Sequence, residues 1–209
     1  RKAVNLARGG KDNNDDNEFV VDNKMLQAEK SRYKDGQRYL RALYSGGTLA
    51  YEALIMLHES IGKIYTNLSF DRVTKIADVY KSTGHTVIDF GEDEFTQGRL
   101  HPMIDPSLRN SRIVAEAKDP ETAVIALDLV LGYNAHPDPA GSALEAMKEA
   151  KKIAASDGRH ITFVTTVCGT DEDFQNRGEQ VAKLEKEGAL VFPSNADAAA
   201  FMTALLSSI

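Results

Sequence analysis

The run Ala123-Val124-Ile125-Ala126-Leu127-Asp128-Leu129-Val130-Leu131 breaks its apolar character once, at Asp128. A stretch like this is what a central strand looks like when helices cover both faces of a parallel sheet. The rest of the chain alternates to match. Strand patterns at 39–44, 85–90, 160–167 and 189–192 are separated by helical ones near 48–58, 71–80, 107–117, 141–156, 174–187 and 195–207. Strands joined through helices of this length imply right-handed crossovers and a parallel sheet. The expectation is therefore an α/β fold: a doubly wound, five-stranded parallel sheet of flavodoxin-like type in three α/β/α layers.

The first forty residues break this pattern. Gly9-Gly10-Lys11-Asp12-Asn13-Asn14-Asp15-Asp16-Asn17-Glu18 contains no apolar side chain, so burial cannot offset the entropy of ordering it. Asn23 to Lys34 reads as a helix with Met25, Leu26 and Tyr33 as packing positions, ending at Asp35-Gly36. Residues 1–36 are expected to be a linker and helix left from a preceding domain, which the opening Arg1-Lys2 without a Met fits. Residues 37–209 are expected to form the flavodoxin-type domain. At 209 residues the chain suits one generous domain better than two. A single cysteine, Cys168, excludes a disulfide framework and a multi-cysteine metal site. A formal net charge of −6 argues against a nucleic-acid partner, which needs basic surface to neutralise phosphates. No apolar run approaches the ~20 residues of a membrane span.

Parallel α/β sheets bind ligands beyond the carboxyl ends of their strands. That rule selects the loops at 45–47, 91–105, 132–140, 168–173 and 193–195. Ser45-Gly46-Gly47-Thr48 lies between a strand and a helix. Free backbone N–H groups at a helix N-terminus carry roughly half a positive charge and favour a phosphate or carboxylate, and Ser45 and Thr48 add hydroxyl donors. A tight βα turn with Thr48 as an ordinary N-cap accounts for the same residues. A P-loop is excluded, because no Gly-Lys-Ser/Thr closes the motif.

The 91–105 loop is longer than a usual βα connection, which favours function. Arg99 can grip a carboxylate or phosphate bidentately, and His101 is of the type that exchanges protons near neutrality. Asp105 has a structural role available, as an N-cap before Pro106 at the first helical position. Glu92, Asp93 and Glu94 suit a divalent cation or simply an exposed acidic turn; no metal site is assigned. Asp128, an acid inside an apolar strand, must be paired or neutral, either by reaching the loop site or by bonding a neighbouring loop. His136 and Asp138 sit at another strand end, where Asp138-Pro139 also suits the start of a helix. Cys168 reads as a buried, inert thiol, and His58, His85 and His160 as structural or surface residues.

Tyr44-Ser45-Gly46-Gly47-Thr48-Leu49-Ala50-Tyr51-Glu52-Ala53 resembles the helix start in the ligase domain of the succinyl-CoA synthetase α subunit. Gly84-His85-Thr86-Val87-Ile88-Asp89, Asp93-Glu94-Phe95-Thr96, Gly98-Arg99, His101-Pro102-Met103-Ile104-Asp105-Pro106, Leu108-Arg109, Leu131-Gly132-Tyr133 and Ala135-His136-Pro137-Asp138-Pro139-Ala140 extend the likeness to the FdrA family of that superfamily. It runs from about Gln37 to the C-terminus. The resemblance implies a cytoplasmic, oligomeric, multi-subunit enzyme, with CoA or nucleotide bound only through a preceding Rossmann-like domain. It implies acyl or carbamoyl phosphate chemistry, as in one component of an oxamate carbamoyltransferase, on a small anionic substrate or phosphate. On that reading the amides of Ser45–Thr48 hold phosphate, Arg99 and Arg109 hold a carboxylate and His101 moves a proton, with Glu94, Asp128, His136 and Asp138 as further candidates. The synthetases carry a phosphorylated His after the fourth strand of this domain. Here that place reads Val167-Cys168-Gly169-Thr170-Asp171-Glu172-Asp173, which argues against a phosphohistidine relay. The competing expectations are a non-catalytic scaffold or docking domain, a true acyl-CoA ligase completed by a further domain, and a metal hydrolase using Glu92, Asp93, His101 and His136.

Overall fold

The computed structural model describes residues 20–207. In chain order the elements are α1 (Asn23–Lys30), β1 (Tyr39–Tyr44), α2 (Gly47–Leu57), β2 (Ile64–Thr66), β3 (Thr74–Lys75), β4 (His85–Asp89), α3 (Asp93–Thr96) and α4 (Ser107–Glu116). Then come β5 (Thr122–Val130), α5 (Pro139–Ser156), β6 (Thr162–Cys168), α6 (Arg177–Lys186), β7 (Leu190–Phe192) and α7 (Asn195–Leu206). All strands run parallel in one sheet, ordered β3-β2-β4-β1-β5-β6-β7.

Each face of the sheet carries its own core. On one, α2, α7 and Leu26 of α1 cover Leu40, Ala42, Val124 and Ala126. On the other, α4, α5 and α6 cover Leu43, Ile88, Ile125, Leu127 and Phe163. Helix α2 shows why: Ala50, Ala53, Leu54 and Leu57 recur at helical spacing and are all buried. The chain leaves β1 toward one face and β5 toward the other, so the crevice between their carboxyl ends is the switch point where such sheets bind ligands.

The sheet has seven strands where five were expected. The additional two, β2 and β3, are strands of three and two residues at one side of the sheet, β3 forming its edge, and are too short for a periodic signal. The helix expected at 71–80 is absent. Val73, Thr74, Ile76 and Val79 are β-branched and disfavour helix, and Thr74–Lys75 pairs with β2 instead.

The polar stretch 9–18 lies outside the described residues. Asp22 is the N-cap of α1, its carboxylate accepting from Lys24 N–H at 2.8 Å, and the helix ends at Lys30, four residues short of the expected Lys34. Leu26 packs into the core, whereas Met25 stays exposed. Glu29 accepts from Thr162 Oγ1 at 2.5 Å and meets His160 Nε2 at 2.8 Å. Tyr33 reaches Thr162 at 2.6 Å, and Gln37 donates to the Thr122 and His160 carbonyls at 2.6 Å each. The described part of the segment up to Gln37 is thus hydrogen-bonded to β5 and to the start of β6.

Candidate functional site

The N-terminus of α2 forms one wall of the crevice. Its N-cap is Gly46, in extended conformation and with no side-chain cap, so Thr48 lies inside the first turn rather than at the cap. Among the described residues no acceptor meets the backbone N–H of Gly46, Gly47 or Thr48. Ser45 differs. It is buried, and Asp128 Oδ1 takes its N–H at 2.7 Å and its hydroxyl at 2.9 Å. Asp128, fully enclosed, also accepts from Arg109 Nη1 at 3.0 Å, and its carbonyl accepts from the same nitrogen at 2.7 Å. A buried carboxylate must be compensated in this way. The pair ties β5 and the β1–α2 turn to α4 from the opposite layer. Arg109 is 3 % exposed, so its guanidinium is committed inside the domain and does not stand open to a ligand.

Asp89, at the end of β4, was not singled out from the sequence. Asn67 clamps its backbone, accepting from Asp89 N–H at 2.9 Å and donating to its carbonyl at 2.8 Å. Its Oδ1 accepts from Gly91 N–H at 2.7 Å. Burial pushes the Asp89 carboxyl up to about 6, with negative Glu92 and Asp128 adding to the rise and the Gly91 N–H opposing it. A Cβ on Gly47 would sit 3.1 Å from Asp89 Oδ2, so this carboxyl stands beside the start of α2. A Cβ on Gly91 would lie 2.8 Å from His101 Nε2, 3.0 Å from Asp89 Oδ1 and 3.2 Å from the Ser45 carbonyl oxygen. Those three groups therefore converge on one point, and only glycine leaves them room.

His101 is oriented for this. Met103 N–H donates to its Nδ1 at 3.3 Å, which puts the proton of a neutral ring on Nε2, the atom facing Gly91. His136 repeats the device, its Nδ1 accepting from Asp138 N–H at 3.0 Å, while its own N–H donates to Met103 carbonyl at 2.7 Å and joins the two loops. Arg99 is exposed, and its side chain forms no hydrogen bond or ion pair among the described residues. It lines a cavity of about 260 Å³ with Phe90, Phe95, Leu100, Pro102 and Asp105. The Ser107 hydrogen bonds hold Asp105 below the usual carboxylate range, with His136 and Arg99 adding to the pull. Asp105 accepts from Ser107 N–H at 3.0 Å, and α4 begins at Ser107, with Pro106 rather than the expected Asp105 at the N-cap.

The remaining candidates lie apart. Glu94 turns toward Asn67 at 3.4 Å and Lys75 at 3.9 Å. Asp138 caps α5 through Gly141 N–H at 3.1 Å and pairs with Lys183 at 2.8 Å. Glu92, Asp93, His101 and His136 are not gathered as ligands; among the described residues no group of three or more His, Cys, Asp or Glu side chains is placed to hold a metal ion. Cys168 corrects its expectation: it is exposed, at the last position of β6, rather than buried. No helix among the described residues is long and apolar enough to cross a membrane.

The doubly wound parallel sheet, with uncapped helix amides and a histidine at its switch point, defines an α/β domain of the three-layer type. Residues 43–205 match the family model described as CoA-ligase, and the chain belongs to that family. The FdrA-type likeness within the succinyl-CoA synthetase superfamily stands with it. The chain is 43 % identical over 166 residues to the uncharacterized protein YahF of Escherichia coli (strain K12), covering 79 % of this chain and 32 % of YahF. It thus spans about a third of that relative's length. PH0766 from Pyrococcus horikoshii OT3, a solved structure, resembles it with a TM-score of 0.48 and 13 % identity, over 99 % of this chain and 42 % of that one.

Proposed function

We propose that this domain holds the phosphate or carboxylate of a small acyl- or carbamoyl-phosphate substrate at the N-terminus of α2. The observation that carries the reading is the set of three backbone N–H groups, on Gly46, Gly47 and Thr48, that face the switch point without an acceptor. Such amides stabilise charge that develops on a transferring group and need no reorganisation to do so. On this reading His101 donates from Nε2–H to that group, and protonated Asp89 adds a second donor at lower pH. Arg99, on the neighbouring cavity, takes a substrate carboxylate. Ser45 and Arg109 act by position: through Asp128 they fix the turn that presents the amides.

The chemistry suits carbamoyl transfer between oxalurate and phosphate, in which positioning and charge stabilisation replace a covalent histidine. In this role the domain works with other subunits in an oligomer, and any CoA or nucleotide that takes part in the reaction at α2 is supplied by another domain. The test is turnover by the full-length protein with its partners, on oxalurate with phosphate and on acyl-CoA with nucleotide. R99A and H101A are expected to lower the first activity by about two orders of magnitude each. Undiminished turnover in both variants overturns the reading, and activity only with acyl-CoA and nucleotide replaces it with true ligation.

One observation favours a second reading, a docking domain without chemistry of its own. Tyr133, Phe174 and Leu100 are 96 %, 63 % and 61 % exposed on loops at this same edge of the sheet. Wild-type turnover by the assembled protein carrying both R99A and H101A selects it.

A further inference from the structure

The opposite edge of the sheet, below the amino end of β6, carries an open cavity of about 720 Å³. That is within the roughly 300–1,000 Å³ of small-molecule sites. Arg32, Lys151, Arg159, His160, Lys186 and Glu187 line it, which gives four fixed cations against one carboxylate in a chain of net charge −6.

Internal partners account for some of these charges but not all. Arg159 is fully engaged: its Nε meets Asp157 at 2.8 Å, and its terminal nitrogens donate to the Asp119 and Ala117 carbonyls at 3.0 and 2.8 Å. Arg32 shares Glu29 with His160, at 3.1 and 2.8 Å. The Glu187 carboxylate is drawn to Lys148 at 3.3 Å. Lys151 is left with the Glu187 carbonyl and the face of the Phe163 ring, 5.7 Å from its centroid. Among the described residues no carboxylate lies within ion-pair distance of Lys151 or Lys186. Burial pulls the half-buried Lys151 ammonium below its ordinary pKa, against the attraction of Glu187. Holding an ammonium there without a carboxylate is unfavourable, and the Phe163 face under its nitrogen supplies a cation–π contact but no counter-charge. An anion that meets Lys151, Lys186 and Arg32 together removes that cost.

We propose that this cavity binds a diphosphate-bearing small molecule, with Lys151 at its floor and Lys186 and Arg32 at its rim. Two phosphate groups match the converging cations, and the remaining volume admits an organic moiety such as a nucleoside. The site is separate from the α2 N-terminus and does not depend on what happens there.

The test is calorimetric titration of the full chain at low salt with pyrophosphate and with ADP. Saturable binding of at least one is expected, weakened about tenfold by K186E and by K151M. Lys186 is exposed, so K186E keeps the fold; circular dichroism confirms it for both variants. Absence of binding, or binding that R99A abolishes while K186E and K151M leave it intact, overturns the proposal. Tighter binding of ADP than of pyrophosphate supports the organic moiety; equal binding limits the site to the diphosphate.

Discussion

Asp128 accepts both hydrogens that Ser45 can give, the backbone N–H at 2.7 Å and the hydroxyl at 2.9 Å, on the same oxygen. The strand at the centre of the sheet thereby sets the turn that opens α2. Arg109 closes the arrangement from α4 at 3.0 Å, so one carboxylate determines how layers on both faces meet the crevice.

Removing that carboxylate leaves Arg109 charged and uncompensated in the interior. Asp128→Ala is expected to cost about 3–5 kcal/mol, read by urea unfolding. The double variant D128A/R109M should lose clearly less than the sum of the two single ones, because deleting both charges removes the desolvation problem along with the attraction. Additive losses would show that the ion pair is not the joint described here.

Asp89 makes a prediction about pH. Its carboxyl moves from an ordinary 3.8 to about 6, so the folded state holds the proton more tightly than the unfolded one. That stability is present below the unfolded value and is lost as pH rises through about 6. Asp89→Asn escapes the loss. The variant should be more stable than the parent by about 2 kcal/mol at pH 7, with the difference gone by about pH 4. Sulfate binding at α2 should also tighten in the parent as pH falls through 6 and be nearly flat in the variant, since the competing charge beside Gly47 disappears.

Glu29 shows the reverse sign. Burial raises its pKa, but hydrogen bonds from His160 and Thr162 outweigh it and hold the carboxyl at about 2, against an ordinary 4.5. Its contribution is therefore present above the unfolded value and is lost as pH falls toward 2. Glu29→Gln should cost about 2 kcal/mol at pH 7, and the gap should close by about pH 2–3. A pH-independent gap would mean that α1 is held by packing of Leu26 alone.

Gly91→Ala tests the convergence of His101, Asp89 and the Ser45 carbonyl. The His101 ring can yield, but the Ser45 backbone cannot, so the methyl should displace the ring at a cost of about 1–3 kcal/mol. Anion affinity should fall in parallel. Gly46→Ala is the control, since a Cβ there meets nothing within 4 Å.

Much of this was legible in the sequence, for identifiable reasons. The 39–44 and 123–131 runs come out as β1 and β5 within a residue, because burial on both faces demands unbroken apolar residues there. Strands β2 and β3 escaped because two or three residues carry no period, and they form by pairing, β2 with β4 and β3 with β2, across stretches of loop. At the site, Ser45-Gly46-Gly47 and His101 were visible as loop residues at strand ends. Asp89 was not, since it reads as one more residue of the 85–90 strand, and its environment comes from Gly47 and Asn67, far away in the chain. The burial of Arg109 and the exposure of Cys168 likewise depend on where helices and strand ends fall in space.

The central claim is that the free amides at the start of α2 bind an anion. An amide NMR titration of the domain with inorganic phosphate tests it most directly. The account predicts that Gly46, Gly47 and Thr48 shift most among the residues of the carboxyl edge, saturably, and that H101A weakens the binding. If those three amides stay fixed while phosphate binds elsewhere or nowhere, the account is wrong.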